Sequence, residues 1–410
     1  MQIEETKLYK IIEEKDREKY ILLIPSMFDA HYPLLKYAFY SKNYHPVIIE
    51  DTEGITDEGL KYINNDMCYP CILNTGQMIT ALKSGKYDTN RVQLLMPSAG
   101  DACRGSNYLR LIQRAVKKAG FENVPVVSMN LKGLEKGNLL KLTPGMVWRA
   151  LFAAYYCDIL MILLDQIRPI EAKKGDAQRV WDKWIDKLAA EMKAGKHLTV
   201  GTMKKNFYKI CEDFSKVETT GEKKDRIGIV GELYIKYCSL GNWDIIKFIE
   251  ENGGISHTNG LTWYAMYYLD SHLTDSGKME AFAYKIVLKF FAGIQDEMIK
   301  ALREYNFFTM EKFEIVKKEA SGYVCEDYKI GDGWLIGAET VGYVLHGCPK
   351  VLAMQPFGCM ANHCIGRGVY PNLNRKLKDA NIVSIDVDSS GSRVMAYNRA
   401  KLLLDWKKMD

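Results

Sequence analysis

The sequence lacks several features that would assign it to a specialised class of protein. Its charge is nearly balanced, with 56 Lys and Arg against 51 Asp and Glu among 410 residues, which is too mild for a nucleic-acid-binding protein. Residues 1–20 are rich in Glu and Lys without an apolar signal core, so we expect no secretion. The longest apolar run, residues 150–164, contains Asp158 and is short for a bilayer span, so it predicts a buried helix. We therefore expect a cytoplasmic protein with neither a nucleic-acid nor a membrane partner.

Two catalytic motifs are also missing. The chain has no G-x-x-x-x-G-K-[ST] loop and no H-E-x-x-H helix. The segment from Gly331 to Gly337 misses G-x-G-x-x-G by one residue and follows no clear strand. The sequence therefore predicts no nucleotide site of its own.

Short apolar runs alternate with helical periodicity in two separate parts of the chain. The first part has strand-like runs at 20–25, 46–50, 91–97 and 124–129, and the second at 227–234, 350–355 and 381–386. This alternation is typical of parallel sheets. We predict an α/β fold in which two parallel-sheet lobes, residues 18–145 and 226–410, flank a helical insert at 146–225.

The insert is locally basic. Residues 171–226 hold 14 Lys and Arg against 10 Asp and Glu, and Lys173, Lys174, Lys204 and Lys205 belong to this excess. A solvated helical face explains such charges, and a docking face for an acidic partner is the alternative.

Ten cysteines are the most informative feature of the composition. In a reducing compartment, grouped thiols indicate metal binding or redox chemistry. Cys157 and Cys211 lie in helical segments and are expected to be structural, whereas Cys238 and Cys325 are ambiguous. The others follow predicted strands or lie in loops rich in Gly and Pro, and they are Cys68, Cys71, Cys103, Cys348, Cys359 and Cys364.

Thiolates at strand ends beside glycines suit an iron–sulfur cluster, because backbone N–H groups can approach the sulfides there. Three alternatives stay open from the residues alone. A zinc site would need two tight ligand pairs, and only Cys68/Cys71 is one. A redox pair would need this C-x-x-C at a helix N-terminus, and the absence of any metal is the third alternative. His363, next to Cys364, could donate protons beside a cluster or be an ordinary loop histidine.

The same loops resemble the 2-hydroxyacyl-CoA dehydratase superfamily. The resemblance rests on Asn65-Asp-Met-Cys68-Tyr-Pro70 with Gly76-Gln77, Cys103-Arg104 with Asn107-Tyr108, Gly231-Glu-Leu-Tyr234, and Gln355-Pro-Phe-Gly-Cys359-Met with Asn362-His363. Within it, the chain is most similar to the branch associated with CoA-substrate-specific enzyme activases and to double-cubane cluster proteins.

The resemblance implies two flavodoxin-like lobes around a cleft that holds the cluster. It also implies that Cys68, Cys103 and Cys359 are cluster ligands, which leaves one iron of a four-iron cubane open. Cys71, Cys348 and Cys364 are thiols beyond this pattern and favour a double cubane over a single [4Fe-4S] cluster. Cys71 and Cys364 are the better candidates, because a six-residue strand would separate Cys348 from Cys359 by ~20 Å.

The resemblance further implies a function. A separate ATPase activator with its own cluster would deliver a low-potential electron, and this chain would use it to reduce a small molecule or an acyl-CoA, as a reductase or dehydratase-like component. A homodimer or a related second subunit is the other expected partner. The alternative is a non-catalytic iron–sulfur carrier or scaffold that serves another enzyme.

Overall fold

Two four-stranded parallel sheets form the framework of the chain. The computed structural model describes residues 14–16, 18–97, 103–128, 143–273 and 276–407. In the first lobe the strands lie in the order β2-β1-β3-β4, and in the second in the order β6-β5-β7-β8. Each lobe therefore places its first strand between its second and third, and the predicted α/β class with two flavodoxin-like lobes is confirmed.

The strands of the first lobe are β1 (Tyr20–Ile24), β2 (Tyr44–Ile48), β3 (Val92–Leu95) and β4 (Val126–Val127). Those of the second lobe are β5 (Asp225–Gly231), β6 (Gly254–Thr258), β7 (Lys350–Pro356) and β8 (Asn381–Val387). All seven residues of β7 are buried. Helices on both faces of a parallel sheet bury its central strands, which is why these strands read as continuous apolar runs.

Helices of the first lobe connect its strands. They are α1 (Tyr32–Phe39), α2 (Ile55–Leu60), α3 (Tyr69–Lys83) and α4 (Tyr108–Lys118). Helices α2 and α3 cross closely at Gly59 and Gly76. A Cβ on Gly76 would lie 1.7 Å from the Ile55 carbonyl oxygen. Beside this crossing, the Gln77 amide bonds the Ser26 N–H and the carbonyls of Ile49 and Asp51. These contacts hold α3 against the ends of β1 and β2.

The insert consists of α5 (Pro144–Ile167), α6 (Asp176–Ala194) and α7 (Val200–Ser215). By length and composition the segment Pro144–Ile170 could cross a membrane, but 67% of its most apolar window is buried inside the protein. Asp158 within it accepts hydrogen bonds from His31 Nε2, from the Leu261 and Thr262 N–H groups and from the Thr262 hydroxyl. A buried carboxylate with four donors is satisfied. The helix is thus a core helix, as predicted, which is consistent with a water-soluble chain.

The second lobe contains the remaining helices. They are α8 (Leu233–Tyr237), α9 (Ser239–Asn242), α10 (Ile245–Glu251), α11 (Leu261–Leu273), α12 (Lys278–Glu304), α13 (Phe313–Ala320), α14 (Leu335–Leu345), α15 (Gly368–Lys376) and α16 (Arg393–Asp405). A π-helix, Ala361–Arg367, precedes α15. Helices α11 to α13 join the insert in one hydrophobic core.

The two lobes meet where their first strands end. The Asp29 N–H donates to the Tyr237 carbonyl at 3.0 Å, and the Ser239 N–H donates to the Asp29 carboxylate at 2.7 Å. The thiol of Cys238 lies 3.4 Å from the Ser26 carbonyl oxygen. The carboxyl edges of β1 and β5 therefore lie close together.

Some expectations about elements were wrong. Strand β6 was not predicted, because Gly254-Ile-Ser-His-Thr258 has no apolar run; its burial comes from pairing with β5. The segment 227–234 was expected to be a strand that runs into a loop; the strand ends at Gly231, and a helix, α8, follows it instead of a loop. Strand β4 is shorter than predicted, and residue 129 of that prediction lies outside the described residues.

Candidate functional site

The candidate ligand cysteines follow the carboxyl ends of central strands. Cys359 lies three residues after β7, and Glu232 directly follows β5. Cys103 follows β3 across residues 98–102, which lie outside the described part of the chain. Ligands of open parallel sheets bind outside the carboxyl ends of the strands, where neighbouring connections leave in opposite directions. Both lobes thus present their cysteines at this position.

Cys68 reaches the site differently, from the N-terminus of a helix. It is the N-cap of α3, and Cys71 lies in the first turn of that helix. Pro70 suits such a position because the first helical N–H groups have no partner within the helix. The expectation that this C-x-x-C lies in a loop was wrong for Cys71, because the helix already begins at Tyr69.

Contacts among the loops bring Cys68, Cys103 and Cys359 into one buried region. A Cβ on Gly331 would lie 3.3 Å from the Ala361 Cβ and 3.9 Å from the Cys103 Sγ, so Gly331 lies between the Cys103 loop and the π-helix that follows Cys359. The charges of Glu232 act on all three thiols, and the charge of Cys68 acts on Cys103. Side chains from both lobes therefore share this region.

Burial dominates the electrostatics of these thiols. Desolvation raises the pKa of Cys68, raises the pKa of Cys103 to about 11 and raises the pKa of Cys359 further. Their surroundings contain donors to sulfur: the Gly105 N–H lies 3.4 Å from Cys103 Sγ, and Asn362 Nδ2 lies 3.4 Å from Cys359 Sγ. These thiols are neutral at neutral pH without a cation, and the donors can stabilise thiolates once one binds.

The carboxyls of half-buried Glu232 and buried Asp332 lie beside the thiols, and the sequence does not predict them as site residues. Desolvation raises the pKa of Glu232 to about 7, and raises that of Asp332 well above its ordinary value, with Glu232 adding to the effect. Asp332 Oδ2 lies 3.4 Å from Asn362 Nδ2. The signal for Glu232 was its place directly after a strand. Asp332 lies in the glycine-rich segment 331–337, whose sequence gives no sign of a cluster site.

A buried ion pair borders these carboxyls. Lys236 Nζ lies 2.9 Å from each carboxylate oxygen of Glu339, and the Asn259 amide donates to the same carboxylate at 3.1 Å. The Lys236 charge also lowers the pKa of Asp332, against the stronger effect of burial. This lysine is therefore the nearby positive charge that partly offsets the acidic groups.

The other predicted residues lie at different distances from the three thiols. Cys71 is fully buried next to Cys68, and desolvation raises its pKa to about 12. Cys364 is exposed on the π-helix, and Cys348 is buried at the amino end of β7, opposite Cys359. His363 Nε2 lies 3.2 Å from the Asp386 carboxylate, near the surface.

The remaining four cysteines agree with their structural interpretation or lie apart. Cys157, Cys211 and Cys238 are fully buried, and Cys325 is exposed. All ten cysteines of the chain are free thiols.

An open groove of about 880 Å³ adjoins the loops of Cys68 and Cys103. Arg104, Arg114, Lys117 and Lys118 line it, against Asp66 and Glu122. Arg104 also donates to the Asp66 carbonyl at 2.7 Å, which joins the two cysteine loops. Lys173, Lys174, Lys204 and Lys205 do not line this groove. The positive surface next to the thiols thus comes from α4 and the Cys103 loop.

The chemical types of the donor groups at this site fit an iron–sulfur cluster. Three thiols and N–H donors to sulfur converge, and Gly331 leaves the side of Cys103 free of a side chain. In the described residues, no three His, Cys, Asp or Glu side chains lie close enough together to hold a single metal ion. A mononuclear zinc ion needs its ligands about 2.0–2.3 Å from one centre, whereas the thiolates of a cluster bind different irons and stand further apart.

Comparisons of the chain with protein-family models, curated proteins and solved structures found no match.

Proposed function

We propose that this chain holds an iron–sulfur cluster at Cys68, Cys103 and Cys359 and accepts low-potential electrons from a separate ATPase activator. It then reduces a small-molecule or acyl-CoA substrate, as a dehydratase-like or double-cubane reductase. The single observation that carries the proposal is the convergence of these thiols, from segments far apart in sequence, at the carboxyl edges of both sheets. The sequence motifs that resemble 2-hydroxyacyl-CoA dehydratases support the choice of cluster.

The cluster would supply one-electron chemistry at low potential. The residues of the chain prepare its surroundings. Asn362 and the Gly105 N–H donate to sulfur and stabilise negative charge there. Burial raises the pKa of Asp332 well above its ordinary value, which favours its neutral form and limits the negative charge beside the sulfurs. Cys71 is the additional thiol nearest to Cys68, and it is the candidate further ligand if the cluster is a double cubane.

The groove beside the thiols supports docking of an acidic electron donor. Among the described residues, Arg114, Lys117 and Lys118 have no ion-pair partner, so their charges are available to a partner surface. Complementary charges mainly accelerate association, and their effect falls with salt. We therefore place the donor at this groove and not at the Lys-rich insert, because only the groove borders the cysteine loops.

A cavity between the insert and the second lobe is the candidate substrate site. Its volume is about 760 Å³, and its lining includes Trp181, Thr258 and Lys236. Lys236 connects it to the acidic groups beside the thiols through Glu339. Ten free thiols are in keeping with a reducing, cytoplasmic location.

A dithiol redox pair is the second candidate, because Cys68 and Cys71 do lie at the N-terminus of α3. A helix N-terminus lowers thiol pKa values, but burial raises both here, so neither thiol is activated as a redox nucleophile. A non-catalytic carrier differs from the enzyme in one respect: the reduced carrier would turn over no substrate without another enzyme.

The test is anaerobic reduction with a mild donor and the cognate ATPase, with and without ATP. We expect spectral reduction of the chain only when both ATPase and ATP are present, and no ATP binding to the chain alone. Complete reduction and turnover without ATPase or ATP would refute the dependence on a partner.

A further inference from the structure

An exposed apolar stripe covers the N-terminal half of helix α12. Met279 is 88% exposed, Phe282 66%, Ile286 55% and Phe290 39%. These positions recur at intervals of three or four residues, so they share one face of the helix. The opposite face, with Leu288 and Phe291, packs against the hydrophobic core of the insert. The helix is thus apolar on both sides, and among the described residues only Trp148, against Phe290, covers part of the outer side.

The stripe continues onto the start of α5. The Trp148 ring stacks on Phe290 with centroids 6.1 Å apart, and the neighbouring Val147 is 55% exposed. If a large apolar side chain presents ~200 Å² when fully exposed, the stripe and these two residues present roughly 700 Å² of side-chain surface. Monomers rarely expose apolar patches above a few hundred Å², and a stable interface buries about 800 Å² per partner. The patch therefore has the size of a dimer interface.

We propose that this face is the interface of a homodimer, with a second copy of the chain as its occupant. A two-fold axis through the stripe between Phe282 and Ile286 makes the two α12 helices antiparallel. Met279 of one copy then packs against Phe290 of the other, and the symmetry repeats this contact. Ala283 borders the stripe close to this axis, where its small side chain allows the helices to approach closely.

Charges beside the stripe favour a protein partner over a membrane. Lys278, Lys285 and Lys289 border one side of it, and Glu280 borders the other. A helix that lies in a membrane surface is expected to carry basic residues along its whole polar face. An acidic residue at the edge of the stripe agrees better with a protein interface.

The experiment is sedimentation of the full chain over a wide concentration range, independently of cluster content. We expect a dimer, and we expect Phe282→Glu and Ile286→Glu each to weaken dimerisation by about 30-fold or more, the effect of losing one central interface side chain. Leu402→Glu is the matched control, because Leu402 is 71% exposed on α16 and outside the stripe. Phe282→Leu should retain the dimer.

Circular dichroism of each variant checks that it has folded. A folded wild-type monomer at all concentrations would overturn the proposal, as would a dimer that both Glu variants leave intact. Flotation of the wild-type monomer with vesicles containing anionic lipid, lost in Phe282→Glu, would overturn it in favour of a membrane surface.

Discussion

The buried ion pair beside the candidate site gives the sharpest test of the electrostatic account. In Lys236→Met, an apolar side chain of similar length replaces the ammonium that lies 2.9 Å from both Glu339 oxygens. The Glu339 carboxylate then remains buried, 3% exposed, without its counter-charge. Asp332 also loses the positive charge that lowers its pKa. Removal of one partner of a buried pair destabilises proteins by about 3–5 kcal/mol.

The double variant separates pairing from packing. In Lys236→Met/Glu339→Gln no charge remains, and the Gln oxygen can still accept from Asn259, which donates to Glu339 at 3.1 Å in the native protein. We expect the double variant to lie within about 1–2 kcal/mol of the native protein, because replacing both ions is often nearly neutral. The free energy of the double variant should therefore be far from the sum of the singles.

The assay is urea unfolding followed by tryptophan fluorescence, with free energies taken from midpoints at constant slope. Lys300→Met is the control, because Lys300 pairs with Glu297 at an exposed site, and its midpoint should barely move. A loss below about 1 kcal/mol in Lys236→Met, or additive losses in the double variant, would refute the reasoning.

Three further predictions address packing, pH and docking. Gly76→Ala should destabilise the first lobe by several kcal/mol and lower the cluster content. The added Cβ would collide with the Ile55 carbonyl and displace α3, which carries Cys68. In thermal unfolding, the control Gly85→Ala should have a milder effect, because Gly85 has open space around it although its φ is positive. Burial raises the pKa of Asp165 to about 7 from 3.8, although Arg168, which donates to both Asp165 and Glu250, acts in the opposite direction. The folded protein therefore binds a proton between those pH values that the unfolded chain releases, and stability falls as pH rises through them. Asp165→Asn, but not the exposed Asp186→Asn, should flatten this fall in melting temperature, and an unchanged pH profile would contradict it. Arg114→Glu/Lys118→Glu should slow electron transfer from the ATPase at low salt by about tenfold or more, whereas Lys173→Glu/Lys174→Glu should not, and the reverse result would place the donor at the insert.

The architecture could be predicted because parallel strands buried on both faces leave a strong signal. Short apolar runs such as Ile21-Leu-Leu-Ile24 are typical of buried parallel strands, and the structure confirms this one as a central strand. Strand β6 and helix α14 left no such signal. Gly254-Ile-Ser-His-Thr258 becomes a strand through its pairing with β5, and α14 directly follows a glycine-rich segment that reads as a loop.

The site was predictable only in part for a similar reason. Cysteines are rare and chemically distinctive, so their position after strands was informative. Glu232 and Asp332 are common residue types, and what sets them apart is burial, which raises their pKa values and depends on the packing of both lobes. Likewise, Lys236 and Glu339 lie 103 residues apart, so no local pattern announces their pairing.

The central claim is that Cys68, Cys103 and Cys359 hold an iron–sulfur cluster. The most direct test is iron and sulfide quantification with EPR spectroscopy on anaerobically purified protein and on single Ala variants of these cysteines. Cys325→Ala is the control, because Cys325 is exposed and was not assigned to the site. We predict about four irons per chain for one cubane or about eight for a double one, a marked loss in each of the three variants, and no loss in the control. Native protein without iron and sulfide after anaerobic purification and reconstitution, or full iron in all three variants, would contradict the account.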